Sequence, residues 1–289
     1  MKRELDDEVL GKGLPSGAMH YRAFIGSPEI YDLLASSHFR LLTWFGLREH
    51  HYVLDIGAGS LRVGKLLIVY LLPGRYFAIE PNRWLIEEGI EKECGYDFVQ
   101  LKKPTFAYES NFSCLQFGCQ FDFIFAHSVF SHASLPQIRL CLEEASKCMK
   151  PESVFLATYK KGTRDYLGNE WLYPERSEYR PETMVEVAET FGLRCQEVPF
   201  DTLIGQTWVA FTKPEHAEMV ATIIASISGG IEGLAAALKW KERYENALVQ
   251  QQSWEERYHE LYLHPWVKFG RYGKSFLQKL GGRVKVLLG

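Results

Sequence analysis

The sequence of 289 residues predicts an α/β fold: a doubly wound, mostly parallel sheet with N-terminal helices before it and a C-terminal helical appendage after it. Three observations predict this fold. Short runs of β-branched and aromatic residues, each followed by polar residues or glycine, are typical of buried parallel strands. Helix-length segments separate the runs, which gives the βαβα order of a doubly wound sheet. Two later strand-like stretches, residues 194–199 and 206–212, are joined by a short link and indicate a hairpin at the sheet edge.

The first region, residues 1–50, divides into an arm and helices. Residues 1–27 are rich in glycine and polar residues, which predicts an irregular arm. From Pro28 to Phe45 apolar residues recur near helical spacing, and one or two helices are therefore expected before the first strand.

The second region, residues 51–213, carries the predicted sheet. Its strands are the runs YVLDIG, RYFAIE, FDFIFA and SVFLAT, and its helices are residues 63–72, 82–94 and 135–149. After Pro214 the pattern becomes helical again, with an apolar stripe through a charged helix from residue 231 to 262. Residues 214–289 are therefore predicted to form the appendage.

Composition excludes several classes of protein. With 46% hydrophobic residues and a net charge of −3, the chain is an ordinary globular protein without the basic surface that nucleic acid binding demands. The six cysteines form no CxxC pair and have no histidine at zinc-finger spacing, so reduced thiols are expected. The N-terminus is too acidic for a signal peptide, and the longest apolar run, residues 66–72, is too short to span a membrane. These features predict a cytoplasmic protein.

The sharpest feature is the segment VLDIGAGS, in which Asp55 ends an apolar strand and Gly57 and Gly59 follow before a helix. Glycines suit a backbone that turns tightly and approaches a ligand, although a plain tight turn would need them as well. A dinucleotide site would require a further glycine where Arg62 stands. A phosphate-binding P-loop would require Ser or Thr directly after Lys65, where the chain has leucine.

This segment resembles the first motif of the class I S-adenosylmethionine-dependent methyltransferases, in which an acid ends a strand and GxGxG follows. Leu61 replaces the third glycine, which implies a different closure around the amino-acid part of the cofactor. The resemblance implies a seven-stranded sheet and S-adenosyl-L-methionine as cofactor, with S-adenosyl-L-homocysteine as product. Asp55, Gly57, Ala58 and Gly59 are the expected cofactor contacts.

The next two strand ends supply further candidates for the cofactor site. Glu80, followed by Pro81, ends the second strand, and a carboxylate there would accept hydrogen bonds from both ribose hydroxyls, although a helix cap or a surface acid is the alternative. Before the fourth strand the family has an acid for the adenine amino group. Asn111 could replace it, with Phe112 stacked on the base; an ordinary loop is an equal alternative.

The fourth strand is followed by His127, Ser128 and His132, which are expected to face cofactor and substrate because ligands bind beyond the carboxyl ends of such strands. Methyl transfer to oxygen or nitrogen benefits from a base that titrates near neutral pH. His132 is the first candidate for the catalytic base and His127 the second; a capping or packing role is the alternative for both.

An acceptor pocket is expected between the fifth strand and the next helix, where Tyr159, Trp171 and Tyr173 are interleaved with charged residues. Aromatic residues with a few polar groups suit an amphipathic small molecule or a glycan, although they would also suit a loop packed on the core. The arm around Tyr21 is expected either to close over the cofactor or simply to dock. No metal is expected, because no carboxylate cluster stands beside the fourth strand.

The predicted activity is transfer of a methyl group to an oxygen or nitrogen atom of such an acceptor. The alternatives are a scaffold that binds the cofactor and an enzyme of this fold that uses it without methyl transfer. Residues 263–289 carry six positive charges among aromatic and aliphatic residues, which suits a peripheral membrane or partner contact as well as a simple basic tail. The preceding helix is compatible with a homo-oligomer.

Overall fold

The structure, a computed structural model, describes residues 10–228 and is built on one twisted sheet. The strands are β1 Val53–Ile56, β2 Tyr76–Ile79, β3 Thr105–Ala107, β4 Phe121–Ala126, β5 Met149–Lys161, β6 Glu178–Tyr179, β7 Arg194–Val198 and β8 Thr207–Thr212. The helices are α1 Tyr31–Trp44, α2 Gly64–Tyr70, α3 Arg83–Gly89, α4 Tyr96–Lys102, α5 Leu135–Cys148, α6 Pro181–Thr190 and α7 Ala217–Ser228. A π-helical turn, Ile90–Cys94, extends α3.

The strand order is β3-β2-β1-β4-β5-β8-β7, and the two-residue β6 pairs with β5 beside this path. The pairs from β3 to β5 are parallel, whereas β8 is antiparallel to both β5 and β7. The prediction of a doubly wound, mostly parallel seven-stranded sheet is thereby confirmed, including the antiparallel pair at its edge. The order reverses between β1 and β4, which opens a crevice at the carboxyl ends of these strands.

Alternation along the strands divides the core into two apolar layers, one on each face of the sheet. In β1, Leu54 and Ile56 pack into one layer, while Val53 belongs to the other. Because side chains alternate along a strand, Asp55 shares the face of Val53 and is buried at the end of the strand.

Residues 214–228 pack against the sheet and against α1. Val220 is fully buried in the same layer as Leu41, and Trp44 Nε1 donates a hydrogen bond to Ser226 Oγ at 3.0 Å. The chain divides after Ser228 into two units, and the described residues belong to the first. The predicted helix of residues 231–262 and the basic tail of residues 263–289 lie outside the described residues. Within residues 10–228, no helix is long and apolar enough to cross a membrane.

Candidate functional site

A cavity of about 800 Å³ lies in the crevice at the carboxyl ends of β1, β2 and β4. Ten of the residues predicted for the site line it: Asp55, Gly57, Ala58, Gly59, Glu80, Pro81, Phe112, His127, Ser128 and His132. Trp171 and Tyr173, predicted for the acceptor pocket, also line it. The topology therefore brings residues from five separate segments of the chain to one cavity.

Asn111 and Tyr159 are not brought to the cavity. Asn111 is exposed, and its Oδ1 accepts a hydrogen bond from Ser113 N at 3.1 Å. Tyr159 is only 1% exposed and packs in the apolar core, because β5 continues past the predicted run and pairs Tyr159 with Thr207 of β8. The placement of Tyr159 in a strand, rather than in the loop expected from the sequence, explains its burial.

The glycine loop after β1 has a backbone conformation and close contacts that leave no room for side chains at its two glycines. Gly57 and Gly59 have φ angles of +69° and +56°. A Cβ atom would lie 2.6 Å from Val129 Cγ2 at Gly57 and 2.9 Å from Ile25 Cγ2 at Gly59. The glycines therefore serve both the left-handed backbone and close approach by the arm and by the segment after β4.

Leu61 keeps the left-handed conformation that a glycine would adopt more easily. Its φ is +61°, and its side chain is fully buried beside Gly64 and Gly89. A left-handed leucine costs about 1–2 kcal/mol, whereas burial of a leucine side chain contributes about 1.5–3 kcal/mol. Packing thus offsets the strain, and the loop turns as a third glycine would allow.

Glu80 links the glycine loop to the start of α3. Its Oε2 accepts a hydrogen bond from Gly59 N at 2.9 Å, and its Oε1 accepts from Asn82 N at 2.9 Å and from Asn82 Nδ2 at 3.0 Å. A carboxylate has about four lone-pair positions, so this arrangement leaves one, on Oε2. Acceptance of two ribose hydroxyls would require the Asn82 side chain to turn away. Burial raises the pKa of Glu80.

Asp55 is more deeply buried, with 2% of its surface exposed. Its Oδ2 accepts a hydrogen bond from the Tyr76 hydroxyl at 2.7 Å. Burial raises the pKa of Asp55 to about 7, against the lowering effect of the Tyr76 hydrogen bond. The carboxyl group is therefore poised between its neutral and charged forms near neutral pH.

The two candidate histidines differ in which ring nitrogen can accept a proton. His132 Nδ1 lies 2.7 Å from both Leu172 O and Glu175 O, so Nδ1 must carry the hydrogen and Nε2 keeps its lone pair. Burial lowers the pKa of His132, which keeps the ring neutral at neutral pH. His132 therefore has the tautomer that a base requires.

His127 has the opposite tautomer. Its Nδ1 lies 2.9 Å from Arg62 Nη2, and because a guanidinium only donates, Nδ1 must be the acceptor and Nε2 must carry the hydrogen. Burial, together with the positive charge of Arg62, lowers the pKa of His127 well below its usual range. This geometry makes His127 a hydrogen-bond donor at Nε2.

The arm forms one wall of the cavity through Phe24, Ile25, Gly26 and Ser27. The ring of Phe24 lies 5.3 Å from the rings of both Trp84 and Tyr173. Arg22 anchors the arm to the core, because its Nε lies 2.8 Å from Glu93 Oε1, and Glu93 Oε2 accepts from Lys65 at 2.7 Å. The arm is thus docked by aromatic contacts and a largely buried ion-pair network.

The sequence patterns do not identify Arg62, His38 or residues 24–27 as cavity-lining residues, although closure of the arm over the cofactor is one of the two alternatives expected for it. At Arg62 the sequence shows only that the further glycine of a dinucleotide site is absent. A signal for His38 exists, since it is a polar residue within the apolar stripe of α1 and is 1% exposed. No signal of this kind marks the arm, because its residues follow no periodic pattern.

Among residues 10–228, no group of three or more His, Cys, Asp or Glu side chains is arranged to hold a metal ion.

Comparisons with known proteins agree with this architecture. A family model described as a methyltransferase domain matches residues 54–155. The magnesium protoporphyrin IX methyltransferase ChlM from Synechocystis PCC 6803, crystallised with bound SAM, superposes with a TM-score of 0.50 at 11% identity, covering 72% of this chain and 88% of that chain. This likeness supports the fold assignment.

Two further solved structures are similar to part of this chain. The glycopeptide N-methyltransferase MtfA complexed with S-adenosyl-L-methionine has a TM-score of 0.49 at 13% identity, covering 62% of this chain and 94% of that chain. A S-adenosylmethionine-dependent methyltransferase from Clostridium acetobutylicum ATCC 824 has a TM-score of 0.48 at 12% identity, covering 63% of this chain and 92% of that chain.

Proposed function

We propose that this chain, which belongs to the class I S-adenosylmethionine-dependent methyltransferases, transfers a methyl group to an oxygen or nitrogen atom of a small molecule or glycan. The observation that carries the proposal is the tautomer of His132 in the same cavity as the glycine loop and Glu80. A neutral ring with a free Nε2 lone pair is suited to remove a proton from an acceptor hydroxyl or amine.

The residues of the cavity fit S-adenosyl-L-methionine. Gly57 and Gly59 present backbone without side chains in the wall of the cavity, and Glu80 offers a buried carboxylate with one lone-pair position still available. Ala58 and Pro81 complete the walls beside them, and Phe112 offers an aromatic face where adenine is expected. When bound, the cofactor supplies an activated methyl group for in-line displacement.

The roles of the remaining residues follow from their positions. Ser128 is fixed by a hydrogen bond from its backbone N to Thr158 Oγ1 at 2.8 Å, and its hydroxyl accepts from Gln206 Nε2 at 2.9 Å. Trp171 and Tyr173 lie 5.8 Å and 5.1 Å from the His132 ring, centroid to centroid. An acceptor held against these two aromatic rings would place its nucleophile near the base.

The cofactor assignment is tested by Glu80→Gln, with Glu87→Gln as control. Glu87 is an exposed glutamate of α3 that pairs with Arg83 and does not line the cavity. Loss of charged hydrogen bonds to ribose is expected to weaken S-adenosylmethionine binding about 30-fold, at about 2 kcal/mol, while the control binds as the parent does. Calorimetric titration measures both constants. Equal affinities for the folded Glu80→Gln variant and the parent would contradict the assignment.

The base assignment is tested by His132→Ala, with His216→Gln as control, because His216 is also buried but does not line the cavity. Acceptors are first sought among phenols, amines and sugars by release of S-adenosylhomocysteine. We expect kcat to fall about 10²–10⁴-fold in His132→Ala with cofactor affinity unchanged. In the parent, kcat/KM should fall about tenfold per pH unit below the pKa of His132, which lies under its ordinary value of 6.5.

Two outcomes would contradict these assignments. If His132→Ala turned over at a rate close to that of the parent, His132 would not be the catalytic base. Tight cofactor binding without release of S-adenosylhomocysteine for any acceptor tried would favour a binding scaffold or a non-methylating enzyme of the same fold.

A further inference from the structure

The cavity contains a buried cation, the guanidinium of Arg62, that forms no ion pair with any carboxylate of the described residues. Arg62 is 8% exposed, and its guanidinium donates to Ile25 O at 3.1 Å and to His127 Nδ1 at 2.9 Å, both of which are neutral acceptors. Within residues 10–228, Arg62 forms no ion pair with a carboxylate. A buried charge of this kind is costly unless an anion accompanies it.

Three neighbouring rings, one of which accepts a hydrogen bond from Arg62, carry buried polar atoms that have no hydrogen-bond partner. His127 Nε2 carries a hydrogen and is buried without a hydrogen-bond partner, as are both ring nitrogens of His38 and Nε1 of Trp208. The His38 and His127 rings lie 4.0 Å apart, and Trp208 lies 5.5 Å and 5.6 Å from them. Four of the seven unpartnered buried side-chain atoms in the described residues therefore meet in one place.

Most of the residues that carry these groups lie in the wall of the cavity. Arg62, His38 and His127 all line it, and the fully buried ring of Trp208 packs beside the two histidine rings. Asp55 also lines the cavity, but it is held by Tyr76, and its pKa of about 7 leaves it partly neutral near neutral pH. Asp55 attracts Arg62 electrostatically, but it forms no ion pair with the guanidinium and is only a partial counter-ion.

We propose that Arg62, His127 and His38 form a carboxylate-binding site in the wall of the cavity. The planar guanidinium matches a carboxylate, and the Nε2–H of His127 adds a neutral donor next to it. A carboxylate has two sources here: the amino-acid part of the cofactor, a case that rests on the proposed function, or an acid group on the acceptor. In either case Arg62 binds the ligand while it also holds the arm through Ile25.

The first experiment separates the two sources by removal of the cofactor's carboxylate. S-adenosylmethionine and its decarboxylated form are titrated calorimetrically into the parent, Arg62→Met and Arg62→Lys. If the cofactor supplies the carboxylate, Arg62→Met weakens S-adenosylmethionine binding at least 30-fold and leaves binding of the decarboxylated form unchanged. Arg62→Lys, which keeps the charge but loses the planar fork, should lie between the parent and Arg62→Met.

The second experiment uses a carboxylate unrelated to the cofactor. Benzoate and its neutral isostere benzamide are titrated into the parent and Arg62→Met, each saturated with S-adenosylhomocysteine. If the acceptor supplies the carboxylate, the parent binds benzoate at least tenfold tighter than benzamide, and Arg62→Met loses this preference.

If Arg62→Met does not fold, the titrations of the parent alone still test the proposed site. A parent that binds S-adenosylmethionine no tighter than the decarboxylated form, and benzoate no tighter than benzamide, overturns the site. Equal weakening of both cofactor forms in a folded Arg62→Met, without a benzoate preference in the parent, also overturns it. A parent that binds neither cofactor form contradicts the proposed function, and titration of benzoate and benzamide without S-adenosylhomocysteine then decides the carboxylate site.

Discussion

The carboxyl group of Asp55, at the end of β1, is almost inaccessible to water and accepts a hydrogen bond from the Tyr76 hydroxyl. Stable folding alone would favour a neutral residue at this position. The burial of Asp55 therefore lowers the stability of the folded chain, as is common for ionisable groups in functional sites.

Asp55→Asn is expected to stabilise the folded chain at alkaline pH. The carboxyl pKa is about 7 in the folded chain against an ordinary value of 3.8. A raised folded-state pKa gives stability that is complete below pH 3.8 and is lost as the pH rises through about 7. At about 1.4 kcal/mol per pH unit, the loss at pH 8 reaches up to about 4 kcal/mol.

Denaturant unfolding at pH 4 and pH 8 measures this effect. The asparagine can still accept the Tyr76 hydrogen bond through its side-chain oxygen, so the variant should match the parent at pH 4 and exceed it at pH 8. A variant that is equally destabilised at both values would show that the buried charge has little influence.

At the scale of elements, the arm and the glycine loop are built against each other. Ile25 of the arm lies where a side chain at Gly59 would stand. Arg22 and Arg62 secure the arm on either side, one through Glu93 and the other through the carbonyl of Ile25. The loop's geometry therefore depends on the arm as well as on its own glycines.

Gly59→Ala and Gly74→Ala form a matched pair that isolates this contact. Both glycines have positive φ angles, +56° and +72°, but a Cβ at Gly74 meets nothing within 4 Å. Gly74→Ala should cost about 1–2 kcal/mol for the left-handed backbone. Gly59→Ala should cost a further 1–3 kcal/mol, because it also displaces Ile25.

The same pair in an Ile25→Ala background completes a double-mutant cycle. The additional cost of Gly59→Ala should fall by at least about 1 kcal/mol, whereas the cost of Gly74→Ala should not change. Denaturant unfolding provides the free energies. An unchanged cost for Gly59→Ala in this background would mean that the arm does not press on the loop.

The elements that the sequence predicted are those with a clear apolar pattern, and the ones it missed lack such a pattern. β1, β2 and β4 are buried runs, and their ends locate Asp55, Glu80 and His127. β3 has only three residues, and α4 buries none of its residues, so neither produces a periodic signal. The placement of Tyr159 was wrong for another reason: pairing with β8 lengthened β5 beyond its apolar run.

At the scale of the whole molecule, the carboxylate-binding site depends on contacts between distant segments. His38 comes from α1, Arg62 from the loop after β1 and His127 from the end of β4. The strand order places β1 beside β4, and the packing of α1 on the sheet adds His38. Trp208 reaches them from β8, far along the chain. A pattern along the sequence identifies residue types but not contacts between residues that are distant in the chain. The glycine loop, whose residues are consecutive, was therefore predictable, whereas the carboxylate-binding site was not.

The arm's place in the cavity wall has a thermodynamic consequence. Since Phe24 to Ser27 line the space that a ligand would occupy, every contact a ligand makes with them strengthens the docking of the arm by the same free energy. Amide hydrogens of the arm, such as those of Phe24 and Gly26, which bond to His20 O and Ala23 O, should then exchange with solvent more slowly in the liganded protein. Amide exchange in the arm thus reports whether the cavity is occupied, whatever the acceptor is.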